Sequence, residues 1–204
     1  MLSKVDELRH RHDNVVFEPE RAALFVLDMQ EYFLAESSHA FIPSAPAILP
    51  GVQALVSTFG AYQRPVIFTC HENTPDDARQ MRRWWRDLIT PGSREAGLVK
   101  GFDATLGKVI HKTQYDAFYE TELEAALLAD GVSQVVITGV MTHLCCETTA
   151  RSAFMRGFEV FFCVDGTATY NEEFHQATIL NLAHGFAVPV LVDEVLAGFK
   201  DHTE

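Results

Sequence analysis

Long hydrophobic runs are missing from this chain of 204 residues. Nowhere do about 18 apolar residues follow one another, and the longest stretches, such as VFFCV at 160–164, have the length of a buried strand. A membrane is therefore not an expected partner. Basic residues are scarce as well: 16 Lys and Arg stand against 28 Asp and Glu, a formal net charge of −12. Such a chain repels a phosphate backbone, so nucleic acid is not an expected partner either. Cysteine is limited to Cys70, Cys145, Cys146 and Cys163, without a CxxC pair or a regular framework. The first twenty residues lack the apolar stretch and small-residue cleavage site of an export signal. Free thiols without an export signal imply a cytoplasmic protein.

What is present is ordinary for a globular protein: 48% of residues are hydrophobic and 22% charged, enough to build a core. The length favours one domain, read as an N-terminal arm over residues 1–20 and a single domain over 21–204. AALFVL at 22–27 is a continuous apolar run of the kind buried on both faces of a sheet. Helical spacing over 51–62 follows, then a short strand at 66–70, a polar helix candidate at 76–85 and a weaker strand at 109–111. Thr121 and Glu124 form a capping-box pattern ahead of a helix stopped by Gly131. Strands at 134–140, 158–164 and 188–192 alternate with helices at 145–156 and 172–184. This rhythm predicts a three-layer α/β/α, doubly wound, Rossmann-like domain around a six-stranded parallel sheet.

In such sheets ligands bind beyond the carboxyl ends of the strands. Three polar residues sit there: Asp28 after strand one, Lys112 after strand three, and Cys145 between strand four and its helix. A carboxylate, an ammonium and a thiol at one rim suffice for nucleophilic catalysis, with a base to take the thiol proton and a cation to favour thiolate. Each also has a purely structural reading. An Asp at a strand end is a common turn former, a Lys there is commonly a solvated rim residue, and free Cys is among the most buried residue types. Cys70 and Cys163, inside apolar strands, take that last reading. Cys145 differs, because the first turn of a helix lowers a thiol pKa.

FVLDMQEYF at 25–33, KTQYDAFYETEL at 112–123 and TGVMTHLCCETTARSAFMRGFEVFFCVDGTAT at 138–169 together resemble the isochorismatase-like cysteine hydrolases, a superfamily that includes nicotinamidases and carbamoyl- and ureido-amide hydrolases. The likeness spans roughly residues 20–196. It implies Cys145 as nucleophile, Asp28 as general base and then acid, and Lys112 as the cation that supports both. It also implies a cis peptide within Gly139–Met141, and an oxyanion hole made by the backbone N–H groups of Met141 and Cys145. The expected reaction is hydrolysis of a C–N bond in a small amide, carbamoyl or ureido compound through a thioester. Family members commonly form dimers or tetramers, so a homo-oligomer is expected. Phe33, His71, Trp85, Tyr115 and Phe118 are candidate walls of the substrate pocket, and aromatics of this kind also fill cores. Arg82, Arg83 and Arg86 are candidates to hold a substrate carboxylate, or one solvated helix face.

Two departures matter. Nicotinamidase-type members carry a metal site with a D-x-H pair after strand two, where this chain has TCHENTPDD at 69–77 with the single His71. No catalytic metal and no other cofactor is expected. WWRDLITPG at 84–92 and MTHL at 141–144 look similar to the branch that cleaves a vinyl ether, yet that branch has glycine where Cys145 stands. Vinyl ether hydrolysis is thus the alternative chemistry. Outside the family, a dinucleotide-binding domain needs G-x-G-x-x-G after strand one, where this chain has DMQEYF. A scaffold, or a redox sensor using Cys145 and Cys146, is a further alternative.

Overall fold

The computed structural model describes residues 7–9 and 14–201, so the arm expected over 1–20 lies partly outside the described residues. Six parallel strands form one sheet: β1 (Ala22–Leu27), β2 (Val66–His71), β3 (Lys108–Lys112), β4 (Gln134–Val140), β5 (Glu159–Ala168) and β6 (Val188–Val190), in the order β3-β2-β1-β4-β5-β6. The helices are α1 (Glu31–Leu34), α2 (Ala45–Ala61), α3 (Met81–Trp84), α4 (Leu123–Ala129), α5 (Glu147–Met155), α6 (Glu172–Gly185) and α7 (Val192–Asp201). This is the doubly wound three-layer arrangement that the strand and helix rhythm implies. No helix among the described residues is long and apolar enough to cross a membrane.

β1 is buried at every position, and its alternating side chains feed two separate cores. Ala22, Leu24 and Val26 pack with Val52, Leu55 and Phe59 of α2 and Phe199 of α7. Ala23, Phe25 and Leu27 pack with Leu127 of α4, Ala150 and Ala153 of α5, and Ile179 and Leu182 of α6. At about 25 cal/mol per Å², such two-sided burial supplies most of what opposes chain entropy.

Several boundaries differ from the sequence reading for identifiable reasons. Helix α2 begins at Ala45 and runs through Pro50. A proline fits the first turn of a helix best, so the pattern placed the start near Pro50; Pro46 holds that first-turn position instead. The polar helix expected over 76–85 is one turn, Met81–Trp84. The Thr121 hydroxyl donates to the Ala117 carbonyl at 2.6 Å and accepts from the Leu123 N–H at 3.4 Å, while Glu122, the residue at the N-cap of α4, makes no side-chain cap. β6 stops at Val190, and the following residues form α7, which the sequence reading lacked.

The strand register brings the carboxyl ends to one rim, with His71 level with Lys112 and Leu27 level with Gly139. Gly139 has a φ of +107°, and a Cβ there would collide with the Leu27 carbonyl oxygen. Only glycine lets β4 approach β1 so closely at this point. The next peptide, Val140–Met141, is cis.

Candidate active site

Asp28 follows β1 in the left-handed region, with φ 52°, and is fully buried. Lys112, the last residue of β3, is 1% exposed. β3 and β1 are separated by β2, two strand spacings of about 4.8 Å each. The lysine stem bridges that gap: Nζ lies 2.8 Å from Asp28 Oδ2, 3.4 Å from Cys145 Sγ and 3.0 Å from the Gln114 carbonyl oxygen. Cys145, 4% exposed, sits in a π-helical turn, Thr142–Cys146, that leads into α5. The three residues singled out at strand ends therefore meet in one buried cluster.

Its electrostatics differ from the sequence reading in one respect. A helix N-terminus and a nearby ammonium were expected to lower the Cys145 pKa. Burial instead pushes the thiol up, the Asp28 charge adds to this, and the Lys112 ammonium only partly opposes it. The sulfur therefore rests protonated. Burial also pushes the Asp28 carboxyl up, but Lys112, His71 and hydrogen bonds from Cys145 and Lys112 outweigh it, so Asp28 lies below the ordinary carboxylate range. The Lys112 ammonium is held charged because Asp28 and Cys145 more than offset its burial.

Above this cluster lies a cavity of about 200 Å³ whose surface is mainly apolar. Cys145 and Met141 line it, and Phe33, Trp85 and Tyr115 contribute walls. The Trp85 indole N–H donates to the Tyr115 hydroxyl at 2.8 Å. Phe118 is not part of this lining. It packs against Phe25 and Phe158 in the core beneath α4 and α5, so the expectation that it walls the pocket is corrected. Aromatic spacing shows that a ring is buried without showing on which side of the sheet end it lies. Arg82 and Arg83 are exposed, whereas Arg86 borders the cavity with its guanidinium 3.8 Å from Asp87.

His71 also lines the cavity. Its Nε2 lies 2.9 Å from Asn73 Oδ1. The Asn73 amide donates to Asp77 Oδ1 at 3.1 Å and to the Thr113 carbonyl at 3.0 Å, which leaves its oxygen free to accept from His71. Among the described residues no three His, Cys, Asp or Glu side chains converge as metal ligands. His71 Nε2 is taken up by Asn73 and no further ligand converges on the ring among the described residues, so this wall does not fit the divalent site expected of nicotinamidase-type members. Burial, and then Lys112, push the His71 pKa down to about 4. The folded value lies below the unfolded value of about 6.5, so the unfolded chain binds the proton first and stability rises with pH across this window. Unfolding measured between pH 4 and 6.5 is expected to show a gain that is shallower by about 2–3 kcal/mol in His71→Gln. Equal slopes in the two proteins would contradict this.

Two buried residues escaped the sequence reading. Gln30 Oε1 accepts from the His71 backbone N–H at 2.9 Å, while Nε2 donates to the carbonyls of His71 and Ala96, tying the segment after β1 to the end of β2. Thr69, fully buried in β2, donates its hydroxyl to Asp28 Oδ1 at 2.6 Å. For Thr69 the signal is a polar residue inside a strand buried on both faces, because its polar atoms must find partners; Gln30, between β1 and α1, carries no such signal in the sequence.

Known proteins resemble this chain in family and in fold. The isochorismatase domain model matches residues 22–194. The chain belongs to the isochorismatase family of hydrolases. This family member is 39% identical to nicotinamidase 3 of Arabidopsis thaliana over 179 residues, covering 85% of this chain and 86% of the relative. It is 30% identical to enterobactin synthase component B of Escherichia coli K12, covering 88% of this chain but 64% of that longer protein. A cysteine hydrolase from Pseudomonas syringae pv. phaseolicola 1448A has the same fold, with a TM-score of 0.87 at 22% identity over 91% of this chain and 95% of its own.

Proposed function

We propose that this isochorismatase-family hydrolase cleaves the C–N bond of a small uncharged carboxamide through a thioester on Cys145. The observation that carries this is the buried contact of Lys112 with both Asp28 and Cys145 at the floor of an apolar cavity. The 39% identity to a nicotinamidase supports the choice of an amide. Because the thiol rests protonated and Asp28 rests ionised, attack is coupled to proton transfer. The thiol proton passes to the Asp28 carboxylate as sulfur bonds to the carbonyl carbon. Lys112 stabilises the negative charge that moves from oxygen to sulfur. The carbonyl oxygen becomes an oxyanion, for which the backbone N–H groups of Met141 and Cys145 are the proposed donors. Asp28 then returns the proton to the nitrogen, the C–N bond breaks, and the amine or ammonia leaves. Water attacks the thioester and gives a proton to Asp28, the C–S bond breaks, and the thiol recovers its proton as the acid departs.

The cavity favours a flat, uncharged substrate. Aromatic and apolar side chains dominate its wall, and the guanidinium at its edge faces Asp87. A dianion would leave one of its charges unpaired there. Assays of aromatic carboxamides, ureido and carbamoyl compounds for ammonia release are expected to find a neutral ring carboxamide turned over at least about tenfold better than any dicarboxylate, a difference of about 1.4 kcal/mol. Vinyl ether hydrolysis is the second reading, favoured by the likeness of residues 84–92 to that branch. Cleavage of a vinyl ether without ammonia release from any amide would put it first.

A further inference from the structure

The Thr69 hydroxyl spends both of its hydrogen bonds on one residue. It donates to Asp28 Oδ1 at 2.6 Å and accepts from the Asp28 backbone N–H at 3.1 Å. The Thr69 carbonyl accepts from that same N–H at 3.2 Å. Asp28 has just left β1 and turned into the left-handed region, which is uncommon for a residue with a side chain, though Asp is among those that adopt it most readily. Three contacts from one neighbour on β2 hold it there and fix both the backbone and the carboxylate plane.

The two carboxylate oxygens are thereby made unequal. Oδ1 is taken by a short hydrogen bond from a fully buried hydroxyl. Oδ2 lies 2.8 Å from the Lys112 ammonium, which also bonds Cys145 Sγ and the Gln114 carbonyl. A proton arriving at Oδ1 would have to displace the threonine hydroxyl from its short hydrogen bond, whereas Oδ2 is on the side of the ammonium that also touches the sulfur.

We propose that Thr69 is a positioning residue for the hydrolysis: by occupying Oδ1 it makes Oδ2 of Asp28 the oxygen that takes the proton from Cys145 and returns it to the leaving nitrogen. This rests on the reading of Asp28 as general base. Thr69 does not line the cavity, so its effect belongs in the proton-transfer step and not in binding. A hydroxyl that orients the base acts as groups behind metal ligands do, where removal costs about 10- to 100-fold.

Thr69→Val keeps the side-chain shape and the β-branch while deleting both hydroxyl bonds. With a carboxamide substrate, kcat per titrated Cys145 thiol is expected to fall by about 10- to 100-fold with KM changed by less than about twofold, and Thr69→Ser to restore kcat to within a few-fold. Cys145 alkylation should slow in Thr69→Val and recover in Thr69→Ser, because it uses the same base. Thr69→Ala carries the same expectation should the valine variant fail to fold. A lower melting temperature with kcat per thiol unchanged would make Thr69 a structural residue only and overturn the proposal. Asp28→Asn and Cys145→Ala, run alongside, separate the two levels. If either keeps turnover, the thioester reading itself fails; if both are inactive while Thr69→Val matches wild type, only the positioning role fails.

Discussion

Cys145→Ala is expected to lower kcat by at least about 10⁴-fold while leaving the fold intact, because the variant deletes the atom proposed to bond to the substrate carbon. The side chain is buried and small, so the loss of one sulfur costs little beyond a minor cavity. Asp28→Asn should be similarly inactive, since an amide cannot take up the thiol proton. The double variant should be scarcely worse than either single one: both changes disable one step, and a base has nothing to do once its nucleophile is gone. Mass spectrometry of protein quenched with a slow carboxamide should find an acyl group on Cys145. An adduct on another residue, or turnover by Cys145→Ala, would remove the thioester mechanism.

Lys112→Met is expected to destabilise the protein by about 3–5 kcal/mol at neutral pH. The Asp28–Lys112 pair is fully buried on both sides, and removing one member leaves a charge in the interior without compensation. The pH dependence gives the sign. In wild type the Asp28 pKa is lowered, so its contribution is present above the unfolded value of about 3.9 and is lost as pH falls through the folded value. Without Lys112, burial dominates and the folded pKa moves above that value. The variant's penalty then shrinks as pH falls and Asp28 takes up a proton. Asp28→Leu combined with Lys112→Met should recover much of the loss, as replacements of whole buried pairs do. Denaturant unfolding at pH 4.5 and 7.5 on the two variants measures this. A Lys112→Met protein within about 1 kcal/mol of wild type at neutral pH would contradict the role given to the pair.

The sheet was legible in the sequence because parallel strands buried on both faces are continuous apolar runs. β1 and β4 fall at 22–27 and 134–140 as the pattern places them. Asp28, Lys112 and Cys145 stood out because each interrupts or closes such a run, and in this topology interruptions at the carboxyl ends share a rim. Thr69 did not stand out, since threonine has high strand propensity and VIFTCH reads as an ordinary strand. Only its complete burial, which needs tertiary structure, shows that the hydroxyl must have a partner. Helix α7 was hidden for another reason. Val192, Val195, Leu196 and Phe199 have helical spacing, with Asp193 and Glu194 in the first turn and Lys200 in the last, but Val192 also extends the apolar VPVLV run that begins in β6. The Cys145 pKa was misjudged because local position reports the helix terminus and the cation, whereas burial depends on everything packed around the sulfur.

Strand β3 lies at the edge of the sheet, paired only with β2, and it delivers the one ammonium in the cluster. Edge strands are held by a single ladder and open at lower free energy than central ones. On the proposed role of Lys112, competence is consequently tied to an edge strand, while Asp28 and Cys145 are attached to β1 and β4 in the middle of the sheet. Partial opening of β3 is expected to withdraw Lys112 and expose Asp28 to water while the central strands stay paired. Amide exchange at Ile110 and His111 should therefore be faster than at Phe25 or Ile137. In a denaturant titration, hydrolysis should disappear ahead of the far-ultraviolet signal, so that the protein becomes silent while most of it is still folded.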